Sequence, residues 1–394
     1  MAYDVSDHPA APYRWVILFL ASFQIFAINY LQFQVSPLAH ELIPIYDLDA
    51  GRIASLLFAP LLSGVLLSIP GGMACDRIGP RVTVGVAAMV SALAGFYRVN
   101  ADSYGMLFCT MFISGACPAV LQAASLKVFH VWFKGQSNLA MGLFFASASL
   151  GGALAQATSN LFPDVWSAFS FSAFMFATSA VGWVLFSRDL PPGYEAPKSE
   201  ANLAHIVHAA GSIKVWLVAA SVGLGMATST AYMELLPQAY IETWHIDAET
   251  AGMMAAVLAL GSIVGSMLAA PLHAVFKHLK ALLIGMICMG FLLKILSWTS
   301  FGSLGLWPIL FANGIFGAAA GPLLEALPVQ FPEIGEEYAG SAGGIIGSAS
   351  LACSYFLPVC ISTLSASNYG FNMIAESVFF LLSAIPILFL KLDG

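Results

Sequence analysis

Gly72-Met-Ala-Cys-Asp76-Arg77-Ile-Gly79-Pro80-Arg81 stands between two apolar runs, residues 51–72 and 82–99. Each run approaches the roughly 20 residues that a helix needs to cross the hydrocarbon of a bilayer. The charged decapeptide between them belongs at a water surface, so the stretch reads as a hairpin of two spanning helices. Gly79 permits the tight turn. Asp76, at a helix end, is placed to accept hydrogen bonds from arginine side chains and free backbone donors.

The same alternation of apolar run and polar punctuation continues outward in both directions. It predicts spans near 14–36, 51–72, 82–99, 104–128, 138–161 and 165–187, then near 213–237, 250–272, 281–299, 304–328, 338–364 and 370–390. The expected fold is an all-α polytopic membrane protein with about twelve transmembrane helices in two pseudo-symmetric bundles of six. Residues 1–187 form the first bundle and 213–394 the second. Residues 188–212 join them as a cytoplasmic linker, which Pro191, Pro192, Gly193 and Pro197 mark as a loop.

Composition agrees. Of 394 residues, 59% are hydrophobic and 9% charged, against about 45–50% and 25% in soluble domains. Little chain is left for an extramembrane catalytic domain, so an enzyme is not expected. Fourteen basic residues and a net charge of −7 exclude a nucleic-acid binder. Cys75, Cys109, Cys117, Cys288, Cys353 and Cys360 form no CxxC, so they read as small buried hydrophobes and neither a metal nor a disulfide framework is expected. Residues 1–13 carry Asp4 and Asp7 but no Lys or Arg, the wrong start for a cleaved signal peptide. No phosphate-binding loop is present, which leaves no cofactor and no nucleotide-driven pump.

Basic residues set the orientation. With the N-terminus inside, Arg14, Arg77, Arg81, Lys127, Lys134, Arg188, Lys198, Lys214, Lys277, Lys280 and Lys391 face the cytoplasm, leaving Arg52, Arg98 and Lys294. Both termini are then cytoplasmic. The halves also repeat in parallel. Gln34 and Pro37 match Glu234 and Pro237, and Asn29-Tyr30 matches Ser229-Thr230. Asp47-Leu-Asp-Ala-Gly51 is similar to Asp247-Ala-Glu-Thr-Ala-Gly252, and Ser147-Ala-Ser-Leu150 recurs as Ser348-Ala-Ser-Leu351.

The decapeptide resembles the loop signature of the major facilitator superfamily, Gly-x-x-x-Asp-Arg-x-Gly-Arg-Arg/Lys. Gly72, Asp76, Arg77 and Gly79 match, Arg81 supplies the second base, and Pro80 replaces the first. The resemblance implies twelve helices, alternating access, and an inner-gate latch at this turn. The second half keeps only Lys277 and Lys280, so its latch is degenerate. At the junction of spans four and five, Trp132-Phe133-Lys134-Gly135 with Asn138, Ala140 and Gly142 is similar to organic-anion and nitrate porters, and also to a lysosomal dipeptide uniporter branch. Trp132 and Phe133 are expected at the lipid headgroups, with Lys134 snorkelling. Two departures weigh against anion exchange and drug efflux: spans two and eight carry no mid-span Arg or Lys, and Ser147-Ala148 stands where drug antiporters have Gly-Pro.

Polar groups inside spans are the candidates for function. Because spans one, four, seven and ten line the cavity in the resembled family, solute binding is expected at Gln24, Asn29, Tyr30, Gln34, Gln122, Tyr232 and Asn313, with Tyr355 added from span eleven. Glu234, Glu325 and Lys127 are the candidates for proton coupling or gating, Lys127 and Glu325 occupying similar positions of the repeat. Arg98 and Lys294, near outer ends of spans three and nine, read as snorkelling. The glycines of span eleven, Gly340, Gly343, Gly344 and Gly347, read as tight packing. Together these predict a secondary transporter of a small neutral or zwitterionic organic solute, with proton symport and uniport both open. It is expected as a monomer in a bacterial-type inner membrane, in contact with lipid. The alternatives are a symporter or exchanger for small monocarboxylate-type anions, and a drug/proton antiporter.

Overall fold

The structure is a computed structural model that describes residues 12–133, 136–191, 203–276, 278–300, 302 and 305–392. Asp4, Asp7, Lys134, Gly135, Pro192, Gly193, Pro197, Lys198 and Lys277 lie outside the described residues, as do the side chains of Asp76 and Asn138.

The described residues form helices and no strand. In chain order they are α1 (Tyr13–Phe33), α2 (Ala39–Tyr46), α3 (Ala50–Ile78), α4 (Pro80–Val99), α5 (Tyr104–Ser114), α6 (Ala116–Trp132), α7 (Ser137–Thr158) and α8 (Val165–Phe186). Then follow α9 (Leu203–Ala210), α10 (Ile213–Trp244), α11 (Ala248–Val275), α12 (Leu279–Thr299), α13 (Leu306–Glu325), α14 (Gly335–Ser365), α15 (Tyr369–Leu382) and α16 (Ala384–Phe389). Among the described residues, twelve stretches are long and apolar enough to cross a membrane, at the places the apolar runs predict.

The differences lie at breaks. The first expected span ends early: α1 stops at Phe33, residues 34–38 form turns, and α2 follows. Pro37 cannot donate a backbone hydrogen bond, and Ser36 before it is biased away from the helical region. Gly115 separates α5 from α6 and Ser383 separates α15 from α16, although each pair reads as one span. The linker carries one short helix, α9, where only loop was expected.

Two compact units emerge. The first holds Met1–Gln34, Leu62–Ala155 and Phe162–Ala201, and the second holds Val35–Leu61, Gln156–Leu161 and Asn202–Gly394. Each has its own apolar core, with Ile28, Ala88, Leu121, Phe129 and Phe176 in the first and Val218, Leu283, Leu324, Ile346 and Phe380 in the second. Within unit one α8 packs on α1 and α4, and α4 packs on α6. Within unit two α15 packs on α10 and α12, and α12 packs on α13, the same pattern one repeat later.

The structure also corrects the register of the repeat. Asp49 Oδ1 accepts from Arg52 N at 2.7 Å, and Asp247 Oδ1 accepts from Thr250 N at 2.8 Å. The left-handed residues before them are Asp47 and His245. Asp49 and Asp247 are therefore the matching helix caps, not Asp47 and Asp247, because the N-cap geometry rather than the letter identifies the equivalent position.

Two further expectations fail on packing grounds. Trp132 and Phe133 are 1% and 0% exposed and belong to the core of unit one, where Tyr13 and Trp15 lie against them; they are not at a lipid interface. On α14, nothing among the described residues lies within 4 Å of where a Cβ would stand at Gly340, Gly343, Gly344 or Gly347. The close approach occurs instead between α11 and α13, where a Cβ on Gly261 or Gly314 would overlap the carbonyl oxygens of Phe311 and Leu258 respectively. Among the cysteines, Cys75 and Cys117 are buried and Cys353 half-buried, whereas Cys109, Cys288 and Cys360 are exposed.

Candidate functional site

The turn between α3 and α4 is built around Gly79, whose φ of 90° only glycine adopts without strain. A Cβ there would also sit 2.8 Å from the Asp189 carboxylate. Asp189 Oδ1 accepts from the backbone N–H of Arg81 at 2.7 Å, one of the unpaired donors at the start of α4. The Arg81 side chain donates through Nη2 to Val184 O at 3.0 Å, and Trp183 Nε1 donates to Arg81 O at 3.2 Å. Gly72 lies on α3 with Ala123 of α6 beside it, and Arg77 is exposed. The motif thus ties α4 to the end of α8 through Asp189, a residue that sequence reading passed over.

In unit one the amide-rich face of α1 turns inward at three of its members. Gln24 is fully buried, with Nε2 on Cys117 Sγ at 3.3 Å. Tyr30 is 5% exposed, with Phe171 edge-on to its ring at 5.9 Å. Gln34 is fully buried; its Nε2 donates to Ala168 O, and its Oε1 accepts from Arg98 Nη2 at 3.3 Å. Asn29 is satisfied locally by Ile25 O at 2.8 Å. Gln122 on α6 is exposed, and Lys127 is half-buried.

Arg98 organises this cluster. It is 1% exposed rather than snorkelling. Its Nη1 donates to Leu31 O at 2.7 Å, its Nη2 to Ser172 Oγ at 3.0 Å, and its guanidinium lies 3.9 Å from the Phe169 ring centroid. A cation pointing into the core reaches a carbonyl near the frayed end of α1 and replaces water with fixed dipoles.

Unit two repeats the theme with different groups. Lys294 is 1% exposed on α12, again not snorkelling, with Nζ 4.5 Å from the Tyr232 ring and 5.0 Å from the Phe380 ring. Glu376 on α15 is fully buried, and neither carboxylate oxygen has a hydrogen-bond partner among the described residues. Two predicted residues meet here. Tyr232 OH shares a 2.8 Å hydrogen bond with Ser297 Oγ and donates to Lys294 O, while Asn313 Nδ2 donates to the same Ser297 Oγ at 3.2 Å. Tyr355 is half-buried and Glu325 is exposed.

Glu234 forms a second polar cluster in unit two. Ser36 Oγ donates to Glu234 O at 2.6 Å, and the Gln156 side chain lies 3.2 Å from the same hydroxyl. Glu234 is 5% exposed, and its Oε2 has no hydrogen-bond partner among the described residues. Outside the spans, Glu333 ties the chain before α14 to α10 through Lys214 Nζ at 2.9 Å. The hydrogen bond from Lys214 holds its carboxyl below the ordinary Glu range.

Sequence reading missed Glu376, Ser297, Ser172 and Asp189, and misplaced Arg98 and Lys294. A signal existed for the last pair: 294 − 98 is 196, close to the spacing of the other repeat matches. Glu376 was also visible as the one acid inside the last apolar run.

The family profile described as Major Facilitator Superfamily matches residues 15–358. Two curated relatives are High-affinity nitrate transporter 2.3 of Oryza sativa subsp. japonica, 21% identical over 62% of this chain and 51% of that protein, and High affinity nitrate transporter 2.5 of Arabidopsis thaliana, 23% identical over 62% and 52%. The chain spans about half the length of these relatives. Among solved structures, a bacterial homologue of the human lysosomal transporter Spinster, inward-facing and occupied, is similar with a TM-score of 0.75, 14% identity and 96% of each chain covered. A D-xylose–proton symporter is similar with a TM-score of 0.73, 17% identity, and 97% of this chain and 98% of that one covered. These structural likenesses concern the fold alone.

Proposed function

Because the chain belongs to the major facilitator superfamily, a family of membrane transporters, we propose that it moves a small neutral or zwitterionic organic solute by alternating access. In this reading the halves 1–187 and 213–394 are the moving bodies and 188–212 links them on the cytoplasmic side of a bacterial-type inner membrane. The motif turn at Gly72, Asp76, Arg77, Gly79 and Arg81 is the inner latch. The protein acts as a monomer.

The observation that supports this solute class is the engagement of Arg98. A transporter that captures a bare anion needs a cation with hydrogen-bonding capacity to spare. The Nη atoms of Arg98 are occupied by Leu31, Gln34 and Ser172 and its flat face by Phe169, which leaves only its buried Nε without a partner among the described residues. Lys294 lies against aromatic rings in the same unit as the buried carboxylate of Glu376. The buried amide of Gln24, whose Oε1 has no hydrogen-bond partner among the described residues, offers an acceptor suited to an uncharged or dipolar solute. Glu234, whose Oε2 has no hydrogen-bond partner among the described residues, and Glu376, whose two carboxylate oxygens have none there, are the groups for proton coupling.

The nitrate relatives favour a second reading, transport of a small anion. Uptake into proteoliposomes separates the two. Organic solute uptake that rises under an imposed proton gradient, falls in Glu234→Gln or Glu376→Gln, and is not competed by nitrate fits the proposal. Nitrate uptake that is abolished by Lys127→Ala contradicts it.

A further inference from the structure

A cavity of about 670 Å³ opens in unit two where α10 ends and α15 begins; its Trp298 follows Ser297, whose hydroxyl Tyr232 and Asn313 share. Its size suits a small organic molecule. The lining includes Trp244, Trp298 and Tyr369, together with Glu242, Ile43 and Leu48. The aromatic wall is fixed from behind. Trp298 is 7% exposed, stacks on Tyr240 with centroids 5.7 Å apart, and meets Trp244 at 6.0 Å and 55°. Tyr240 is itself anchored by its hydroxyl on Ser297 O at 2.6 Å. Glu242 is exposed, and Gln238 Nε2 donates to its Oε1 at 2.9 Å, which orients the carboxylate.

Aromatic faces beside a carboxylate are the recognition chemistry of organic ammonium groups, because the ring quadrupole and the negative charge both attract a weakly hydrated cation. The chain segments that border the cavity add Asp47, Asp49, Asp247 and Glu249, while the one arginine among them, Arg52, lies 3.9 Å from Asp49. His40, Glu41, Tyr46 and His245 lie on the same segments, with His40 Nε2 3.8 Å from Glu41 Oε1. The local field therefore favours a cation and repels a bare anion.

We propose that this cavity binds an organic ammonium group, held between the rings of Trp244, Trp298 and Tyr369 with Glu242 as its counter-charge. It is the capture site for the ammonium end of a zwitterionic or amine solute. That use rests on the transporter reading above; the binding itself does not.

Calorimetric titration of the full chain in lipid nanodiscs with choline, and with its neutral isostere 3,3-dimethyl-1-butanol, tests the site. Saturable choline binding is expected, with no saturable binding of the isostere. Glu242→Gln should weaken choline binding roughly fivefold, as for loss of a partly exposed charge partner, and Trp244→Leu should weaken it comparably. Because Glu242 is exposed, its variant folds even if Trp298→Ala does not. Equal binding of the isostere, no binding of choline, or an unchanged affinity in Glu242→Gln overturns the proposal. Choline binding without counterflow of any solute in proteoliposomes would remove the transporter reading and leave the site. Counterflow without choline binding would remove the site alone.

Discussion

Arg98 shows what a single side chain contributes when it faces inward. Hydrogen bonds to a charged group contribute about 1.5–3 kcal/mol each when both partners are buried, and this guanidinium makes three to oxygen atoms. Arg98→Ala is expected to lower unfolding stability by about 3 kcal/mol, read by denaturant unfolding in detergent. Arg98→Lys recovers only part of it, because an ammonium cannot reproduce the planar fork. The sequence shows the charge near a helix end but not which face carries it, and that is why snorkelling looked sufficient. Glu333 supplies a milder, pH-dependent case. Its folded carboxyl is depressed by the Lys214 hydrogen bond, so its contribution is full above the unfolded carboxylate value and is lost as pH falls through the lower folded value. With both side chains 37% exposed, solvent screening limits that contribution to about 1 kcal/mol. Wild type and Glu333→Gln should therefore differ slightly near neutral pH and converge as pH falls through the depressed folded value. A gap that survives acid or high salt would assign the effect to something other than this pair.

At the level of helices, spans were legible and their faces were not. Runs of about 20 apolar residues located all twelve crossing stretches, because hydropathy is summed along the chain. Close packing depends on which residue meets which neighbour. Gly340, Gly343, Gly344 and Gly347 look like a packing stripe yet face open space, whereas Gly261 and Gly314 bring the backbones of α11 and α13 together. Gly314→Val is accordingly expected to abolish or severely reduce folded protein in size-exclusion profiles. Gly340→Ala, with no neighbour to meet, should elute as wild type. The break at Pro37 follows the same logic. Pro237, at the matching place, lies inside a continuous α10, so proline marked a weak point but its surroundings decided whether the helix stopped.

Across the whole molecule, the duplication was the most informative signal in the sequence, and the two units reproduce it in their packing patterns. The same spacing relates Arg98 to Lys294, a match that the snorkelling expectation passed over. What the sequence could not supply was the grouping of candidates: Tyr232 and Asn313 meet through Ser297, Gln34 meets Arg98, and Asn29 turns back on its own helix. The central claim is that this chain carries a neutral or zwitterionic organic solute between two alternating faces of the membrane. Counterflow in proteoliposomes of the purified chain, run solute by solute across neutral, zwitterionic, cationic and anionic sets with nitrate included, tests it most directly. Saturable counterflow is expected for at least one neutral or zwitterionic organic solute, unaffected by excess nitrate. Counterflow confined to nitrate or other small anions would contradict it.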